Sequence, residues 1–195
     1  WGGGNLFLKN ITIFLQKRGH TVINHLYDED IDIILFTDPR KKSESSSTFN
    51  HKEINNFKKY VNKNVKVVQR INECDERKGT DGVNDLYLES SESADVVVFV
   101  SNWLKEIYID LGLDTKKSKV ILAGADKSIF NNTGSLKWDM KNRLKIVTHH
   151  WSSHENKGFK DYMFLDTLLG KKEWKDKIEF TYIGNTNDNF KFQNT

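Results

Sequence analysis

Apolar positions along this chain recur at two spacings, one helical and one strand-like, and the two alternate from end to end. From Asn5 to Lys17, Phe7, Ile11 and Phe14 fall at i, i+4 and i+7. That spacing predicts one apolar helix face, with Gly19 placed to stop the helix. Thr21–Leu26 and Ile31–Thr37 read as short strands, the second rich in β-branched and apolar residues. Asp38-Pro39, with the single proline of the chain, ends that strand, and a Lys/Ser-rich loop follows from Lys41 to Thr48. His51–Asn62 predicts a helix with Ile54, Phe57 and Val61 inward. The strand Val65–Ile71, a polar loop from Asn72 to Gly82 and a helix from Val83 to about Glu92 come next.

Val96 to Val100 is a continuous apolar run, the pattern of a strand buried on both faces of a parallel sheet. Ser101 is a natural cap for the helix after it, whose predicted inner face is Leu104, Ile107, Tyr108 and Leu111. Val120–Leu122 reads as one more strand. This rhythm argues for an α/β fold with a mainly parallel sheet. Between Asn131 and Arg143 the pattern lapses into polar residues around Gly134 and Trp138, as an interdomain connection would. A second unit then opens with a strand at Leu144–Thr148, a loop to Asn156, a helix at Gly158–Leu169 and a strand at Ile178–Ile183.

Composition narrows this picture without changing it. The chain has 195 residues, 37% hydrophobic and 29% charged, which suits a globular protein. No apolar run approaches the roughly 20 residues a membrane-spanning helix needs. The formal charge of +3, from 30 basic and 27 acidic residues, is too small to imply a nucleic-acid partner. Basic residues gather late, at Lys137, Lys141, Arg143, Lys145, Lys157 and Lys160, where a solvated surface explains them. The one cysteine, Cys74, permits no internal disulfide and no CxxC metal site, and it fits a reducing, cytoplasmic compartment. The chain opens at Trp1 without an initiator Met and stops soon after a strand. The expectation is therefore a piece of a longer protein, lacking the first strand of one domain and the rest of another.

Four features carry candidate chemistry. Gly2-Gly3-Gly4 precedes a helix start, where glycines allow close backbone approach and free N–H groups favour an anionic or hydroxyl-rich ligand; a tight turn explains it equally well. The spacing is not the dinucleotide fingerprint G-x-G-x-x-G. The loop Asn72-Glu73-Cys74-Asp75-Glu76-Arg77-Lys78-Gly79 follows a buried-looking strand at its carboxyl end. There Glu73, Asp75 or Glu76 can accept hydrogen bonds from sugar hydroxyls or act as a base, and Arg77 or Lys78 can pair with phosphate. A surface loop of mutually paired charges is the plainer account. His149, His150 and His154 do not suggest a metal, because adjacent strand residues point to opposite faces and His154 follows in a loop. Lys157-Gly158 opens the helix of the second unit, where a lysine beside free helix N–H groups can neutralise a diphosphate or be an ordinary exposed lysine.

Taken in order, the stretches GGGNLFLKNITIFLQKRGHTV, DIDIILFTDPR, VVQRINECDERKG, ADVVVFVSNWLKEIY, KVILAGADKSIF and IVTHHWSSHENKGF resemble the GT-B glycosyltransferases. The likeness is to the large retaining family 4 that includes sucrose and glycogen synthases and many bacterial cell-surface sugar transferases. It implies two Rossmann-like domains, the second incomplete: an acceptor-side domain over 1–135 lacking its first strand, and a linker with the start of a nucleotide-sugar domain over 136–195. It implies transfer of a hexose from a UDP- or GDP-sugar to a saccharide, lipid-linked or other cell-surface acceptor, with no bound metal or cofactor and no nucleic acid. A peripheral membrane contact is compatible with such an acceptor.

Gly3 and Gly4 match the glycine loop of that family near the donor, and Lys157 matches its phosphate-binding lysine. Ser152 stands where relatives often carry an arginine, and Asn72 where many carry a histidine after the strand. The catalytic candidates are thus Asn72 and Glu73, the donor-binding ones Gly3, Gly4, Ser152 and Lys157, and the acceptor-binding ones Asp75, Arg77 and Lys78. This chain alone is expected to be inactive. The alternatives are a non-catalytic sugar- or protein-binding module of transferase ancestry and an NAD-dependent oxidoreductase, against which the missing fingerprint counts.

Overall fold

The computed structural model describes residues 3–40, 48–150, 152–186 and 188–195. The chain divides into two compact units, Trp1–Asp126 and Lys127–Thr195. Unit 1 is an α/β unit built on a four-stranded sheet with every pairing parallel: β1 (Ile33–Phe36), β2 (Lys66–Ile71), β3 (Val96–Phe99) and β4 (Ser118–Val120), in that spatial order. Around these run α1 (Gly3–Gln16), α2 (His51–Tyr60), the one-turn α3 (Asp75–Lys78), α4 (Val83–Ser91) and α5 (Asn102–Asp110).

Alternation along the strands decides which side chains make the core. Ile34 and Phe36, Val67 and Ile71, and Val97 and Phe99 point to one sheet face and are buried, where they join Ile54 and Phe57 of α2, Tyr87 of α4, and Leu104 and Tyr108 of α5 in a single cluster. Gln69 lies on the same face; its amide donates to Ser90 Oγ at 2.6 Å and to Tyr87 O at 3.3 Å, which ties β2 to α4. The other sheet face is half-buried, and there the Arg70 guanidinium lies 3.9 Å from the centre of the Phe7 ring on α1.

Helix starts are set locally. Asn50 and Glu53 form a reciprocal capping box at α2, satisfying amides that the first turn leaves without partners. Ser101 accepts from Leu104 N at α5, as its type and position predict. The predicted inner faces need adjusting at their ends. Phe14 is exposed and lies under the Arg18 guanidinium, while Ile11 and Leu15 turn inward with Phe7. Val61 and Leu111 are exposed too, and Leu113, just past α5, is buried instead.

Two predicted strands are corrected. Thr21–Leu26 is not a strand; it runs as irregular chain with a bend, and only its half-buried Leu26, with Ile31, packs against the core. Its alternation marks the side chain that faces inward, but a strand also needs a neighbour for its amides. The last strand of unit 1 is Ser118–Val120 rather than Val120–Leu122, because the register pairs Val97 with Ser118 and Phe99 with Val120. Ile121 and Leu122 are left exposed. The Lys41–Thr48 loop lies outside the described residues except for Thr48, whose hydroxyl donates to Asn24 O.

Unit 2 pairs β5 (Leu144–His150) with β6 (Ile178–Gly184) in parallel, joined through α6 (Phe159–Leu169) and the short α7 (Lys172–Lys175), which the periodicity did not reveal. Its interior is aromatic: the Phe159 and Phe190 rings stack at 4.9 Å, and those of Tyr182 and Phe192 lie 5.2 Å apart. Asp166 on α6, 3% exposed, holds the closing segment by accepting from Gln193 N at 3.0 Å, Asn194 N at 2.8 Å and Thr195 Oγ1 at 2.7 Å. No helix among the described residues is long and apolar enough to cross a membrane.

Candidate functional site

Parallel strands all deliver their carboxyl ends to one edge of a sheet, which is where open α/β folds place ligands. In unit 1 that edge gathers charge. Asp38 stands two residues beyond β1, and Glu73 two residues beyond β2. Both are largely buried, with side chains 7% and 12% exposed, so each needs a partner. Arg40 supplies it to both. It grips Asp38 with two parallel bonds, Nε to Oδ1 at 2.8 Å and Nη2 to Oδ2 at 2.9 Å, and reaches Glu73 Oε2 with Nη2 at 3.5 Å. Lys78 Nζ lies 2.6 Å from Glu73 Oε1.

Two buried tyrosines brace these strand ends from below. Tyr87 donates to Thr37 O at 3.2 Å, and Tyr108 to Glu73 O at 3.0 Å. The bidentate bond to Asp38 raises the Arg40 guanidinium above its ordinary value, against the opposing effect of burial. Burial pushes the Tyr87 phenol well up, and the nearby negative charges of Asp38 and Glu73 push it further. Burial raises the Tyr108 phenol as well, and the Cys74 thiol. Both phenols therefore stay neutral and serve as donors.

The segment after Glu73 is held by its own polar residues. It contains a helical turn, α3, where the sequence predicts only loop. Asp75 accepts from Asn84 N at 2.9 Å, Val83 N at 3.2 Å and Thr80 Oγ1 at 2.6 Å, so its carboxylate closes the N-terminus of α4. Desolvation works to raise the Asp75 carboxyl, but these donors together outweigh it and hold it below the usual range. Asn84 in turn donates to both oxygens of Glu76, the largest cause of the lowered Glu76 carboxyl. Arg77 is exposed and donates to Asn72 O at 3.1 Å.

The site residues inferred from sequence belong to three segments of the chain. Asn72, Glu73, Asp75, Arg77 and Lys78 share one loop at the carboxyl edge of unit 1. Gly3 and Gly4 form the first turn of α1, which begins two residues earlier than predicted, and among the described residues no atom beyond their chain neighbours and the backbone of their own helix lies within 4 Å of where a Cβ would stand on either. Gly2 lies outside the described residues, as does Trp151. Ser152 and Lys157 belong to unit 2. Ser152 accepts from His154 N, and Lys157 is exposed at the end of a 3-10 turn, just before Gly158 at φ 86° and the start of α6.

His149 and His150 lie on β5, the former exposed and the latter half-buried with Nε2 2.7 Å from the Tyr162 hydroxyl. Asp38 and Arg40 were missed as site residues, although the sequence did place Asp38-Pro39-Arg40 directly after a strand, where the carboxyl-end rule applies. The chain matches no protein-family model, and no curated protein matches it significantly.

Proposed function

We propose that this chain serves glycosyl transfer from a nucleotide-diphosphate sugar, as part of a cytoplasmic enzyme of the GT-B type. In this reading unit 1 receives the acceptor and unit 2 helps to hold the donor. The observation that carries it is the charged cluster of Asp38, Arg40, Glu73 and Lys78 at the carboxyl edge of a parallel sheet. A guanidinium and an ammonium group held at fixed spacing suit a ligand rich in oxygen. Glu73 has both oxygens turned toward cations, so its part is to order Arg40 and Lys78. That arrangement also favours the non-catalytic binding module as the second reading.

In unit 2, Lys157 and the first amides of α6 are near in sequence, a combination able to stabilise a leaving diphosphate electrostatically. Calorimetry with UDP, GDP and NAD on the full-length enzyme that this reading implies tests the proposal. A nucleoside diphosphate should bind better than NAD, and EDTA should leave that binding intact. Lys157→Ala should weaken it by roughly 10- to 150-fold, the equivalent of one charge-assisted contact to phosphate. Lys160→Ala, a turn away and also exposed, should change little. Tight NAD binding without nucleoside diphosphate binding would replace this reading with the oxidoreductase.

A further inference from the structure

We propose that the carboxyl edge of unit 1 binds a phosphoryl group, so that the ligand taken there is a phosphorylated acceptor rather than a neutral sugar. The inference rests on the glycosyl-transfer reading for the word acceptor; the anion site itself stands on geometry alone.

The cluster is neutral in sum but layered in space. Its two carboxylates lie inside, with Asp38 and Glu73 side chains only 7% and 12% exposed, while its two cations lie outside, Arg40 at 39% and Lys78 at 43%. An approaching ligand therefore meets the guanidinium and the ammonium before either carboxylate. These groups are donors only, with no acceptor to offer a hydroxyl proton. Glu73 spans them, one oxygen toward each, which fixes the two cations on either side of one carboxylate. Two fixed donors flanking a common point suit the several equivalent oxygens of a phosphoryl group. A neutral sugar would need acceptors beside the donors, and the acceptors here are turned inward.

The orientation is not left to the exposed side chains. Arg40 is held by two parallel bonds to Asp38, whose position follows from the end of β1 through the buried Pro39. Lys78 ends α3, a turn anchored by Asp75 to the N-terminus of α4. Both cations are thus ordered before any ligand arrives, which lowers the entropy cost of binding it.

The charge layering fixes the sign of a test. Glu73→Gln keeps the side-chain shape and an acceptor oxygen, and Arg40 keeps its two bonds to Asp38, so the variant removes the negative charge between the cations while Arg40 stays ordered. If the ligand is anionic, this variant binds it more tightly; if it is a sugar held by the carboxylate, it binds more weakly. Titration of the isotope-labelled protein with a soluble hexose 1-phosphate, followed by amide NMR, should shift signals of Arg40 and of residues 73–78 saturably. Lys78→Gln, an exposed change that leaves Glu73 paired with Arg40, should weaken binding by at least about tenfold, the lower end of one charge-assisted bond. Glu73→Gln should strengthen it several-fold. A parallel titration with phosphatidylcholine vesicles carrying a long-chain alkyl phosphate shows whether the phosphoryl group comes on a soluble sugar or a lipid: the tighter ligand names the source. Absence of saturable binding at millimolar phosphate ester overturns the proposal, as does indifference to Lys78→Gln. Binding of the unphosphorylated hexose at the same amides, weakened by Glu73→Gln, overturns it in favour of a neutral acceptor. Loss of nucleoside diphosphate binding, which is read at Lys157, would sink the transferase reading without touching this site.

Discussion

Replacing Asp75 with alanine removes one carboxylate that accepts three hydrogen bonds, from Thr80 Oγ1, Val83 N and Asn84 N. Two of these donors are amides at the start of α4, so the change deletes a helix cap, worth about 0.5–2 kcal/mol. A hydrogen bond to a charged group is worth about 1.5–3 kcal/mol at most, and Asp75 is only half-buried, so water recovers much of what each lost bond supplied. The sum expected for Asp75→Ala is about 2 kcal/mol, a fall in melting temperature of about 6–10 °C for a domain of this size. Thermal unfolding followed by circular dichroism measures it, with Asp81→Ala as the control at an exposed neighbour expected to shift by less than about 1 °C.

The dependence on pH supplies the sharper test. The folded Asp75 carboxyl sits below its ordinary value, so the ionised group favours the folded state. Its contribution is complete above the unfolded value of about 3.9 and is lost as pH falls through the depressed folded value. The gap between parent and Asp75→Ala should therefore be constant from neutral pH to about 5 and should narrow below about 4. A gap that persists undiminished at low pH would refute the assignment of the stabilisation to the charged carboxylate, and a shift no larger than that of Asp81→Ala would refute the cap itself.

Two further outcomes concern unit 2. Gly184 has φ 136°, and a Cβ there would stand 1.7 Å from His150 O, a backbone atom that cannot turn aside. Gly184→Ala should separate the ends of β5 and β6 and cost more than about 3 kcal/mol, read as lost near-ultraviolet dichroism and early melting, whereas Gly124→Ala, with open space around it, should be tolerated; equal melting of the two variants would show the close approach is not real. Burial works to raise the Asp166 carboxyl, but Gln193 N, Thr195 Oγ1 and Asn194 N outweigh it and lower it. Asp166→Asn turns an amide donor toward other donors, so hydrogen exchange at Gln193 and Asn194 should quicken by roughly 10- to 150-fold, and unchanged exchange would mean the closing segment is held by Phe190 and Phe192 instead.

What the sequence determined by itself is most of the longer elements and, away from their ends, the face each one buries. Phe57 and Ile54 fall a helical turn apart, Val97 and Phe99 two apart, and each spacing fixes a direction before any fold exists. Ser101 caps α5 for the same reason: a hydroxyl beside a helix start acts over three residues, a range that the local chain dictates. The carboxyl-end loop after β2 was legible too, since a polar run following a buried strand has one place to go. Tertiary structure alone decided the pairings. Asp38 and Glu73 are 35 positions apart, and only the parallel register of β1 with β2 brings them to one guanidinium.

The same holds for Asp75. As a lone carboxylate in a polar loop it can serve a ligand or the backbone, and the return of Asn84 beside it commits it to the backbone. Thr21–Leu26 failed as a strand for a related reason. Its alternation was present, but pairing is a property of two segments, and no neighbouring strand gives it a ladder among the described residues. Periodicity is written in one stretch of chain and can be read there; charge pairing and strand pairing depend on segments far apart in sequence, and only the folded chain settles which of them meet.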